Sequence, residues 1–114
     1  MVVTFDQVRD MALALPGAEE VLTWGTDTTF RVRGRMFAVT APESSYATVK
    51  ASPEDQAELL AGDPETFAVA PYTGRFGWVR VELARIEPDH MRELIVEAWR
   101  RTATTRQVTT YEKD

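Results

Sequence analysis

Cysteine is absent from the 114 residues, which excludes disulfides, thiolate metal sites and thiol nucleophiles. Histidine occurs once. His90 falls in the expected first turn of the last helix and has no partner at ligand spacing, so it reads as an exposed helix residue and not as a metal or catalytic group. No apolar run approaches the ~18 residues of a membrane span. Asp6, Arg9 and Asp10 interrupt any secretory core near the N-terminus. The expectation is a cytoplasmic protein, neither secreted nor bound to a membrane. Phosphate loops and dinucleotide fingerprints are missing too: Gly25, Gly34, Gly74 and Gly77 are isolated turn glycines. Ser44, Ser45 and Ser52 lack the setting of an activated nucleophile, and Ser52 is better explained as a helix cap. The acidic pairs Glu19-Glu20 and Glu87-Asp89 suit a solvated edge and a helix start. These absences together leave no catalytic constellation and no cofactor or metal to expect.

What is present describes a globular chain of one domain. Hydrophobic residues make up 44% and charged residues 27%, unlike the composition of disordered segments. The charge balance is 13 Lys plus Arg against 18 Asp plus Glu, a net of −5. That balance speaks against nucleic acid, because phosphate neutralisation supplies most non-specific affinity for it. The positive charge is nearly all arginine, since lysine stands only at Lys50 and Lys113. Arginine's planar fork suits phosphates and carboxylates, and several of these arginines sit on expected strands.

Taken in order, Thr4 precedes Phe5, Val8, Met11, Ala12 and Leu15 at steps of three and four, the face of an amphipathic helix. Thr4 and Gln7 make a capping box, and Pro16-Gly17 ends the element. A short strand is expected at Ala18 to Thr23. Thr28 to Val32 and Arg35 to Thr40 are rich in Thr, Val and Phe and form a hairpin about Arg33-Gly34. Another strand is expected at Tyr46 to Lys50. Ser52-Pro53-Glu54-Asp55 starts a second helix that stops at Gly62. Phe67 to Ala70 is a brief extended piece, Pro71 to Gly74 a turn, and Gly77 to Leu83 a strand of clear alternation. Pro88 opens a third helix with Met91, Leu94, Ile95, Ala98 and Trp99 on one stripe. Residues 104–114 read as a flexible tail in which Val108 to Tyr111 could add an edge strand. The fold class is therefore α+β in two layers, an antiparallel sheet covered by helices, with three or four strands, then a helix, two strands and a helix after the first helix.

Two stretches are candidates for binding. In the hairpin, a two-residue loop places Val32 opposite Arg35 and Phe30 opposite Phe37. A three-residue loop with Gly34 left-handed places Arg31 opposite Arg35 and Phe30 opposite Met36. The second is favoured, because a two-residue primed turn forces Arg33 to positive φ. It gathers Arg31, Arg33 and Arg35, whose mutual repulsion calls for carboxylate partners such as Asp27 and Glu82 or for an anionic ligand. The second stretch interleaves Tyr72, Arg75, Phe76, Trp78 and Arg80, a pattern that can stack on bases and pair with phosphates, or that simple strand alternation produces. Arg31, Arg33, Arg35, Lys50, Arg75 and Arg80 are the candidate anion or nucleic-acid contacts. Trp24, Tyr72 and Trp78 are the candidate walls of an aromatic cleft.

The order and spacing of several segments resemble the MmcQ/YjbR family over residues 4–103. They are Trp24-Gly25, the run from Thr29 to Ala38, Val49-Lys50-Ala51 before a Pro-Glu-Asp helix, Gly77 to Val81, and the helix Met91 to Trp99. The resemblance implies a fold of order α-β(3)-α-β(2)-α and a DNA-binding or regulatory role through a double wing. The wings would be the hairpin bearing Arg31, Arg33 and Arg35 and the strand pair bearing Arg75, Trp78 and Arg80. The chain departs from the family pattern twice, with Leu22-Thr23 where many relatives have His-Pro, and with Phe76-Gly77 where many have His or Lys before the tryptophan. Both departures, with the acidic balance, weaken the expectation of DNA binding, to which the alternative is a small-molecule or protein-binding module without affinity for nucleic acid.

Overall fold

The computed structural model describes residues 3–23 and 25–113. Helix α1 spans Phe5–Leu13. Its capping box is made as the sequence implies: the Thr4 hydroxyl accepts from the Gln7 amide at 3.1 Å, and the Gln7 side chain accepts from the Thr4 amide at 2.9 Å. Four strands follow, β1 (Glu19–Thr23), β2 (Asp27–Val32), β3 (Arg35–Thr40) and β4 (Tyr46–Val49). After helix α2 (Pro53–Gly62) come β5 (Phe67–Val69), a single 3-10 turn at Gly74–Phe76, β6 (Val79–Glu82) and helix α3 (Pro88–Arg100). The strands form one antiparallel sheet in the order β1-β2-β3-β4-β6-β5. Among the described residues, no helix is long and apolar enough to cross a membrane.

All the helices pack on one side of this sheet. Phe30, Val32, Ala38, Ala47, Val49, Val79 and Val81 point to that side and meet Val8, Met11 and Ala12 of α1 and Met91, Ile95, Ala98 and Trp99 of α3 in one core. Trp99 is fully buried, and its indole N–H donates to the Pro16 carbonyl at 3.0 Å. The bond satisfies the ring's polar atom, as burial of an indole requires.

Two expectations are corrected. The hairpin turn is the two-residue type, with Val32 opposite Arg35 and Arg31 opposite Met36. Both turn residues are left-handed, Arg33 at φ 57° and Gly34 at φ 76°, the geometry of a type I′ turn whose twist matches the strands it joins. The favoured three-residue register fails because β3 places its irregularity elsewhere. Pairing slips between Arg31 and Phe30, whose partner is Ala38, so Phe37 is an inserted bulge residue. The bulge lets Phe37 and Ala38, adjacent in sequence, both face the core, at 0% and 1% exposure. Burying a second phenylalanine outweighs the modest cost of one arginine at positive φ.

The second correction concerns residues 104–114. Instead of a flexible tail or an edge strand, Thr105–Glu112 form helix α4, opened by a second capping box between Thr104 and Gln107. It folds back on α3: Tyr111 meets the Trp99 ring edge-on at 5.4 Å, and Glu112 pairs with Arg100. Val108 and Tyr111 pack on the core, an apolar pair at helical spacing.

Candidate functional site

Among the described residues, no helix covers the opposite side of the sheet. Alternation along the strands puts Val21 and Thr23 of β1, Asp27, Thr29 and Arg31 of β2, Val39 of β3, Tyr46 and Thr48 of β4, and Arg80 and Glu82 of β6 on it. A cleft of about 270 Å³ opens over β3 and β4 on this side. Its floor includes Met36, Val39 and Thr48; Pro71, Tyr72, Thr73 and Trp78 wall one end, and Asp27, Ala41, Ser44 and Tyr46 the other. The span from Met36 to Thr40 along β3 is about 13 Å at strand rise.

The Trp78 end is built by a close backbone approach. Gly77 has φ 100°, and a Cβ there would stand 2.6 Å from the Ser52 carbonyl carbon and 2.7 Å from the Pro53 nitrogen. Only glycine lets this segment lie against the start of α2. Gln56 of α2 then reaches across, its side-chain amide donating to the Gly74 carbonyl at 2.9 Å and the Trp78 carbonyl at 2.8 Å. Trp78 is held at 7% exposure while Tyr72, in the loop above it, is 96% exposed and left-handed at φ 64°. Three of the exposed large hydrophobic residues, Val69, Tyr72 and Phe76, lie within this one segment.

At the other end the polar groups of the loop are largely engaged with the backbone. The Thr40 and Ser44 hydroxyls both donate to the Tyr46 carbonyl, at 3.0 and 2.8 Å. The Tyr46 ring carries the Arg80 guanidinium at 4.0 Å from its centroid, and Arg80 is neutralised by Glu82 at 3.1 Å. Asp27, named from sequence as a partner for the hairpin arginines, makes no ion pair or side-chain hydrogen bond among the described residues.

The six candidate cations divide between surroundings. Arg31 and Arg80 lie on the helix-free side. Arg31 donates to the hydroxyls of Thr29 at 3.0 Å and Thr23 at 3.4 Å, and faces Met36 rather than Arg35. Arg33, Arg35, Lys50 and Arg75 lie toward one end of the sheet but differ in their contacts. Arg33 donates to the Thr102 carbonyl beyond the end of α3 at 3.3 Å, and Arg35 stands exposed across from buried Val32. Lys50 borders a depression shared with Asp55, Glu58, Glu97 and Arg101, and Arg75 lies over the Phe76 ring at 4.7 Å. Of the three candidate aromatics, Tyr72 and Trp78 meet in the cleft; Trp24 lies outside the described residues. His90 is an exposed residue of α3, as expected, with its ring edge-on to Phe67 at 5.6 Å.

Sequence reasoning did not find Met36, Val39, Tyr46 and Thr48 as cleft residues. Their alternation was visible, but which face of the sheet stays uncovered is not encoded in alternation.

The architecture defines a two-layer α+β domain with one face of its sheet free of helices among the described residues. The chain belongs to the YjbR family, whose model matches residues 13–101. Among solved structures it is similar to the crystal structure of the Deinococcus radiodurans protein DR2400, which carries a DUF419 domain. The TM-score is 0.77 and the identity 24%, over 84% of this chain and 75% of that one. At that identity the likeness speaks to the fold. No curated protein matches the chain.

Proposed function

We propose that the chain is a binding module that takes a small organic ligand in the cleft between Trp78 and Asp27. The observation that carries this reading is Tyr72, an aromatic residue 96% exposed and held at positive φ over the rim of an aromatic-walled cleft. A bulky residue in that conformation costs of order 1–3 kcal/mol, and such strain gathers at ligand clamps. A concave, mostly apolar site with a few placed polar groups is the usual form of a small-molecule pocket. The reading is of binding and not of catalysis, since among the described residues the lining holds one carboxylate and no histidine, lysine or arginine to work with it.

Duplex binding through the arginine-bearing hairpins has less support. The acidic net charge opposes it, Arg80 is matched by Glu82, and the guanidiniums of Arg31 and Arg33 are turned to hydroxyls and a backbone carbonyl.

The test is a fragment screen by NMR on the full chain. Hits are expected to move the amides of Met36, Val39, Thr48 and Trp78. Tyr72→Asn should weaken them, since asparagine tolerates the left-handed backbone but lacks the ring. Shifts confined to Arg33, Arg35, Lys50 and Arg75 on adding a DNA duplex, with affinity falling steeply with salt, would replace this reading by the nucleic-acid one.

A further inference from the structure

The cleft has two unlike ends, and the difference selects among ligands. Resting on the reading of the cleft as a ligand site, we infer that its occupant is a small organic cation, an ammonium group at the Asp27 end joined to an apolar or aromatic body at the Trp78 end. Among the described residues, Asp27 is the only formally charged one in the lining. It is half-buried, and no cation among the described residues pairs with it. Arg31 shares its strand face but ends on the Thr29 and Thr23 hydroxyls, and Arg80 is held by Glu82 and the Tyr46 ring. An anionic ligand would meet this carboxylate unscreened, whereas an ammonium would give it the charge partner it lacks.

The rest of the lining agrees. Tyr72 and Trp78 present rings, whose faces attract cations, while the Tyr46 ring already carries Arg80, and Met36 adds a polarisable thioether. The Thr40 and Ser44 hydroxyls both give their protons to the Tyr46 carbonyl, and Ser44 Oγ also accepts from the Tyr46 amide at 3.2 Å, so neither hydroxyl has a proton left to offer an anion. The net charge of −5 raises the local concentration of cations over anions. A cleft of about 270 Å³ stands near the lower bound for small-molecule pockets, about 300 Å³, which suits one ring and a short chain.

The test titrates isotope-labelled full chain with three molecules of like shape: phenylpropylamine, a cation at neutral pH, phenylpropanol and phenylpropionate. The amine is expected to shift Asp27, Met36, Tyr72 and the Trp78 indole, and to bind at least about fivefold tighter than the alcohol, the size of one exposed ion pair. Phenylpropionate should bind weakest of the three. Asp27→Asn, which keeps the shape and removes the charge, should bring the amine down to the level of the alcohol. If the alcohol or the propionate binds at these residues as tightly as the amine, the ammonium assignment is overturned while the cleft remains a ligand site. If none of the three moves the cleft residues at millimolar concentration, both readings fall.

Discussion

The two sides of the sheet are made by the same strands and behave as different materials. On the helix side Phe30, Phe37, Val49, Val79 and Val81 are at 1% exposure or less and are sealed under α1 and α3. On the other side the positions between them carry Thr, Tyr, Arg and Glu, most of them half-buried, with a cleft where a helix layer would otherwise lie. The first side is specified by volume and the second by which polar groups remain without partners. A period of two in the sequence thus separates a surface that holds the fold from one left without a helix layer.

Substitutions can break that division in order of expected effect. Trp99→Ala should be the most damaging, costing about 3–5 kcal/mol, because it empties the core, removes the ring under Tyr111 and frees the Pro16 carbonyl. Urea unfolding checks it, and α4 should lose amide protection first. Gln56→Ala comes next at about 1–3 kcal/mol, because one side chain satisfies two carbonyls. This variant couples the two sides: the substitution is on a helix, yet amide exchange should rise at Gly77 and Trp78 in the cleft wall.

Arg33→Asn should act in the opposite direction and less strongly. Asn-Gly is the preferred type I′ pair, so a gain of roughly 0.5 kcal/mol in unfolding free energy is expected, reduced by loss of the bond to Thr102. A loss above that size would mean the contact with Thr102 matters more than the turn. Smallest of all, Thr48→Val on the cleft floor should change stability by no more than about 0.5 kcal/mol, as for surface positions without buried partners. The same change should still alter ligand affinity, and an equal response of both quantities would erase the contrast between the two sides.

Much of the fold is legible in the sequence. The Thr4–Gln7 capping box and the Ser52-Pro53 start are local: they act through side chains within three residues of the backbone groups they satisfy, so the sequence carries the whole interaction. The strands were legible through alternation, and the third helix through its apolar stripe. The hairpin register was not, since it turned on a bulge at Phe37 that pays for positive φ at Arg33 by burying a second ring, a trade settled only when the helices arrive. Helix α4 was hidden for a similar reason. Its threonine-rich sequence has weak propensity, and its stability comes from Tyr111 on Trp99 and Glu112 on Arg100.

The candidate site was legible only in part. Tyr72 and Trp78 were found as aromatics, but pairing them with Asp27, Tyr46 and Met36 needs a strand order in which β6 lies beside β4 and not beside β5 alone. The residues by themselves determined the class, two layers with one apolar face per strand, because periodicity and capping are interactions between near neighbours in the chain. Only the tertiary structure decided which face stays bare and where the arginines end, because both depend on contacts between segments far apart in sequence. The arginines expected from sequence to crowd one hairpin end are drawn apart by such contacts, and of the two carboxylates named as their partners Glu82 holds Arg80 while Asp27 is left at the mouth of the cleft.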